Sequence, residues 1–158
     1  MSTYDFKTQL AKGEAAEKTL DEHFSQWFAI TPATNDEQRS GIDRWWDDRL
    51  VPRRWSVEYK TDFVAHKTHN AFVETVSVEG RRAGWVYTSH AQWLLYYIPG
   101  GDDDLAYLLD IAYIRRTALP TWEKHYPLKT VQNIGYITKG LLVPLHEFEK
   151  HATQVCLL

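Results

Sequence analysis

Residues 40–46, Ser40-Gly41-Ile42-Asp43-Arg44-Trp45-Trp46, and residues 54–61, Arg54-Trp55-Ser56-Val57-Glu58-Tyr59-Lys60-Thr61, decide how the chain folds. In the second stretch Trp55, Val57 and Tyr59 alternate with Ser56, Glu58 and Lys60. A period of two puts the apolar set on one face of a strand and the polar set on the other. Gly41 to Trp46 reads as a shorter strand before it, joined by the polar connection at 47–53. If the two strands pair as a hairpin, Asp43 and Glu58 approach one point. Two carboxylates and a lysine then share a small site.

Outward from this pair, the chain alternates helix and strand. Upstream, Phe6, Leu10, Gly13, Glu17, Leu20, Phe24 and Trp27 recur at steps of three and four, which predicts a helix over about 4–28. Thr31-Pro32 closes it, and residues 33–40 read as a polar loop. Downstream, residues 71–78 form a third strand and 79–84 a turn. Thr88 or Ser89 caps a predicted helix running to about Tyr97. A turn at 98–104 leads to a strand from Leu105 to Ile114, then a short helix near 118–125. Strands near 127–138 and 141–146 and a polar helix complete the chain. The order α-β-β-β-α-β predicts an α/β fold with a mixed central sheet flanked by helices.

With 158 residues and no repeat, low-complexity tract or linker, the chain reads as one domain, residues 1–158. No apolar run approaches the ~20 residues that cross a bilayer, and no secretory leader is visible, so the expectation is a cytoplasmic protein without a membrane partner. The single cysteine, Cys156, rules out an internal disulfide and a cysteine-based zinc cage. Net charge is −3, but residues 83–110 carry four acidic and no basic groups, which concentrates the basic ones elsewhere. Nucleic-acid binding is therefore compatible with the composition, though balanced surface charge explains it as well.

The residue types at this point suit hydrolysis of a phosphate ester. A hard divalent cation such as Mg2+ takes oxygen ligands, commonly one or two carboxylates completed by water and substrate phosphate. A neighbouring lysine can orient the attacking water or offset developing charge. Glu17 interrupts an apolar stripe, so its carboxylate must be paired with a core-edge arginine or face a metal.

Gly41-Ile42-Asp43 followed by Val57-Glu58-Tyr59-Lys60 resembles the PD-(D/E)XK nuclease superfamily. The opening Lys12-Gly13-Glu14-Ala15-Ala16-Glu17-Lys18 is similar to the leading helix of archaeal-type Holliday-junction resolvases. Ile42 stands where the superfamily's name has proline. The resemblance spans roughly residues 10–97 and implies a restriction-endonuclease-like core with Mg2+- or Mn2+-dependent phosphodiester hydrolysis, most naturally of DNA. Carried over residue by residue, Asp43, Glu58 and Glu17 would be metal ligands and Lys60 the residue that positions water. For the additional polar residue that the family carries beyond the lysine, Glu74 in the third strand, on the side of Phe72 and Val76, is the first candidate, and Thr88 and Gln92 are weaker ones. Structure- or end-directed cutting by a bare catalytic core is expected, with a homodimer where paired cuts are made. The rival is a non-catalytic nucleic-acid-binding or assembly protein on the same fold.

Other signals are weaker. His66-x-x-His69-Asn70 lacks the partners of a zinc or HNH site and reads as a polar loop. Trp45 and Trp46 are neighbours in a strand, so only one can face a core, and the other is free to meet DNA or a partner. Arg53-Arg54, Arg81-Arg82 and Arg115-Arg116 lie near strand ends, where phosphate contact is feasible. No P-loop, Rossmann or G-x-S-x-G pattern occurs.

Overall fold

The structure, a computed structural model, describes residues 6–158. Helix α1 (Phe6–Phe24) buries Ala16, Leu20 and Phe24, one side chain per turn, and leaves Leu10 exposed. The predicted helix start at residue 4 lies outside the described residues. Its predicted end is corrected, because the helix stops at Phe24. There Ser25 Oγ donates to Glu22 O and Gln26 Nε2 to His23 O, satisfying terminal carbonyls. Phe28–Pro32 then becomes strand β1, with the Phe28 ring stacked on Trp46 at 4.8 Å. In the predicted loop, α2 (Asn35–Arg39) forms behind a capping box of Thr34 and Glu37.

Strands β2 (Arg44–Asp48) and β3 (Arg54–Thr61) form the expected antiparallel hairpin, Arg44 opposite Val57 and Trp46 opposite Trp55. After α3 (Ala65–Thr68) come β4 (Asn70–Val78), the short β5 (Arg82–Ala83) and α4 (Trp85–Thr88). The predicted helix to Tyr97 is a second correction. Trp93–Ile98 is strand β6, parallel to β3 and antiparallel to β7 (Leu105–Asp110). Leu94 to Ile98 are all buried, because both faces of β6 are covered. Short apolar runs of this kind fit helix and strand alike, and flanking strands decide between them. Ser89, proposed as a cap, instead donates from its hydroxyl to Gly41 O, locking α4 to the loop before Asp43.

Beyond β7 the chain makes one turn of helix, α5 (Ile111–Tyr113), a π-helical turn at Ile114–Ala118, and α6 (Leu119–His125). Strands β8 (Leu128–Asn133) and β9 (Tyr136–Pro144), helix α7 (Leu145–Lys150) and β10 (Gln154–Leu157) follow. The six-stranded central sheet runs β1-β2-β3-β6-β7-β10 and is mixed, its β3–β6 pair being parallel. A four-stranded antiparallel sheet runs β5-β4-β9-β8. The fold is thus α/β with a mixed central sheet and helices.

Two cores share the central sheet. Ala16, Leu20 and Phe24 of α1 pack on Trp46, Val57, Tyr59, Leu95 and Tyr97. On the reverse face, Leu94, Tyr96, Ile98 and Leu109 pack against Val73, Leu141 and Val143 of the second sheet and Trp122 and Phe148 of the helices. Alternation along β3 therefore turns Val57 and Tyr59 toward α1 and Glu58 and Lys60 toward the second sheet. No helix among the described residues is long and apolar enough to cross a membrane.

Candidate functional site

Asp43 stands just before β2, where that strand peels away from β3. Its N–H donates to Val57 O at 2.9 Å, and its carbonyl accepts from Ala33 N–H at 3.0 Å. Its Oδ2 accepts from Tyr59 N–H at 2.7 Å. A side-chain oxygen thus supplies the acceptor that a backbone donor inside the sheet requires. The same bond fixes the carboxylate beside Glu58.

Glu58 is 3% exposed, which is unusual for a carboxylate. Oε1 meets Lys60 Nζ at 3.0 Å, whereas Oε2 is buried with no hydrogen-bond partner. Burial pushes the Asp43 carboxyl above the ordinary aspartate range. The Tyr59 N–H and the Lys60 charge pull it back, and Glu58 pushes it further up. For Lys60, burial works against the ammonium, but Glu58 and, behind it, Glu74 and Asp43 more than offset this. The ammonium is held above the usual lysine range, so Lys60 is a cation at neutral pH and has no lone pair with which to act as a base.

Glu74 joins from the second sheet. It lies opposite Gly140, and the β4–β9 register slips between Glu74 and Val76, a bulge of the sort that re-aims a side chain. Gly84 presses against this point: a Cβ there would sit 2.1 Å from Glu74 O, so glycine alone allows α4 to approach β4. Arg115, from the π-helical turn, donates through Nε to Val86 O and through a terminal nitrogen to Ser89 O, both at 2.6 Å. It pins α4 and adds a positive charge felt by Glu58.

Glu17 is not brought to this group. Its carboxylate meets Arg44 at 2.8 Å, and Asp21 meets the same guanidinium at 3.0 Å, on the α1 side of the sheet. Of the two roles open to Glu17 in the sequence, the structure shows the arginine pair. Asp62 accepts from Val64 N–H, Ala65 N–H and the Tyr96 hydroxyl, the last at 2.6 Å, and shapes the turn after β3. Trp46 is buried, while Trp45 lies partly exposed beneath the Arg54 guanidinium, 5.2 Å from its ring centre. Among the described residues, no three or more His, Cys, Asp or Glu side chains are grouped to hold a metal ion. Asp43 and Glu58 are two carboxylates only, the number from which a magnesium-type site can be built when water and phosphate complete it.

The roles of two contributors escaped the sequence. Arg44 follows Asp43 in a strand, and alternation should have directed it to the opposite face, toward the acidic side of α1. Arg115 was marked only as one of a pair near a strand end, suited to phosphate contact; it lies instead in a π-helical turn, which has no readable period, and bonds the carbonyls of Val86 and Ser89. A concavity of about 770 Å3 opens beside the group, with Lys60 and Glu74 in its wall. Comparison of the chain with protein-family models, curated proteins and solved structures gives no match to any of them.

Proposed function

We propose that the protein is a metal-dependent nuclease that hydrolyses phosphodiester bonds, most naturally in DNA, on a restriction-endonuclease-like core. The observation that carries this reading is the buried, unpartnered Oε2 of Glu58 beside Asp43 and a charged Lys60. A carboxylate oxygen left without a hydrogen bond in such a place is costly, and the structural bond that Asp43 makes to the Tyr59 N–H does not call for a second carboxylate beside it. The donor set fits a hard cation: carboxylate oxygens with no cysteine or histidine among them.

Asp43 and Glu58 would hold Mg2+ or Mn2+. When bound, such an ion makes a coordinated water more acidic and offsets charge on the phosphate. Lys60, fixed as a cation, would donate an N–H hydrogen bond to the attacking water or a phosphate oxygen and stabilise charge as it develops. Glu74 supports the ammonium from behind. Glu17 keeps α1 on the sheet through Arg44 and takes no part in the chemistry.

The test is a cleavage assay with purified wild type and Lys60→Ala on single-stranded, duplex, flapped and four-way-junction DNA and one RNA. Each is incubated with Mg2+, Mn2+ or EDTA. Metal-dependent products from the wild type alone are expected. Retention of a substrate without cleavage in any metal would instead favour a non-catalytic binding protein.

A further inference from the structure

The cavity beside Lys60 has a composition that the proposed chemistry does not by itself require. One wall is the turn after β3, with Phe63 38% exposed; another is the β8–β9 hairpin, with Tyr136 45% exposed. Lys12 of α1 and Lys129 of β8 also line it, and neither is ion-paired with any described residue. Lys18, Lys139 and Lys150 have acidic partners, whereas Lys67 and Lys124, which have no ion pair among the described residues, do not line the groove. The groove thus offers two cations without an ion pair among the described residues, two accessible aromatic rings and the Lys60–Glu74 part of the site.

Cations for the phosphates and rings for the bases are the two elements that hold a nucleic-acid strand without reading its sequence. A duplex presents its bases stacked inside and asks for phosphate contacts spread over about 1,000–2,500 Å2 of protein surface. A hollow of 770 Å3 is in the range that encloses a small ligand instead, and suits a few unpaired nucleotides. We infer that this groove binds a single-stranded nucleic-acid segment and feeds it to Asp43, Glu58 and Lys60, so that the substrate is an unpaired strand or an end. The inference rests on the nuclease reading for its purpose, but not for its test.

Binding is measured in EDTA, where no metal-dependent cleavage intervenes, using a fluorescein-labelled thymidine oligonucleotide over a series of salt concentrations. The wild type should bind the strand, and unlabelled duplex of equal length should compete poorly. For a single strand each phosphate contact contributes about 0.7 to the slope of log affinity against log salt. Lys12→Ala with Lys129→Ala should therefore flatten the slope by about 1.4. Tyr136→Ala should weaken binding at least about fivefold, the lower end for loss of one stacked base. Both lysines and Tyr136 are exposed, so these variants are expected to fold, which circular dichroism checks. Duplex competing as well as single strand, absence of binding, or variants that bind like wild type would overturn the inference. The two readings fail separately. Binding with these dependences but no cleavage in metal would leave the groove and remove the nuclease. Cleavage that ignores the groove variants would do the reverse.

Discussion

Replacing Lys60 by methionine keeps most of the stem and removes the charge, and the structure sets the size of the effect. The Glu58 side chain is 4% exposed and that of Lys60 39%. Removing one member of a fully buried pair costs about 3–5 kcal/mol, whereas exposed pairs contribute about 0–1 kcal/mol. With one partner buried and the other reached by water, a loss of about 2 kcal/mol at pH 7.5 is expected. For a chain of this length that lowers Tm by about 4–8 °C. The loss should shrink on acidification. Without Lys60, the Asp43 carboxyl, already raised by burial, rises further, so the folded variant takes up a proton that the unfolded chain releases. Its stability therefore falls as pH climbs from about 3.9 through the raised pKa, and the deficit is smaller at pH 5 than at pH 7.5. Urea unfolding at both pH values measures this. Glu58→Gln added to Lys60→Met should restore part of the loss by removing the stranded charge. A Lys60→Met protein within about 0.5 kcal/mol of wild type at both pH values, or a double variant less stable than the single one, would refute the reasoning.

Asp43→Asn retains an oxygen for Tyr59 N–H and loses the buried charge. Because the folded pKa of Asp43 is raised, its ionisation removes stability as pH rises. The variant should be at least as stable as wild type at pH 7 by thermal melting, gain nothing near pH 3, and cleave no DNA. Tyr96→Phe strips the donor from Asp62 and the acceptor from Phe72 N–H, bonds of 2.6 and 2.9 Å, and should cost about 1–3 kcal/mol in urea unfolding. Gly84→Ala drives a methyl group into Glu74 O and should cost about 1–3 kcal/mol, with cleavage falling more than stability explains because Glu74 shifts against Lys60. Leu20→Ala, at a position with no exposure, should cost about 2–5 kcal/mol and leave the cleavage pattern of the folded fraction unchanged.

Where one element carried its own pattern, the sequence was readable. Strand β3 runs over the residues its alternation marks, and the same alternation placed Glu58 and Lys60 together, with Asp43 brought in by the hairpin. What the sequence hid was set by neighbours. Trp93–Ile98 is a strand because β3 and β7 flank it, and no six-residue apolar run announces that. β1 continues the apolar phase of α1, and its antiparallel pairing with β2 and the stacking of Phe28 on Trp46 are what distinguish it. Glu17 shows the limit of a stripe. An inward-leaning carboxylate must be answered by something, but the stripe does not say whether by a metal or by Arg44. Glu74 was legible as a strand carboxylate. Its approach to Lys60 was not, since that depends on a bulge and on Gly84.

The bond from Tyr59 N–H to Asp43 Oδ2 also makes one backbone amide an instrument. Its acceptor is an ionisable side chain, so the Tyr59 proton should move in an NMR spectrum as the carboxyl titrates, while amides bonded to carbonyls stay still. Anything drawing electron density from that carboxylate should move it as well. Occupancy of the site could then be followed at a single resonance, without turnover, in wild-type protein.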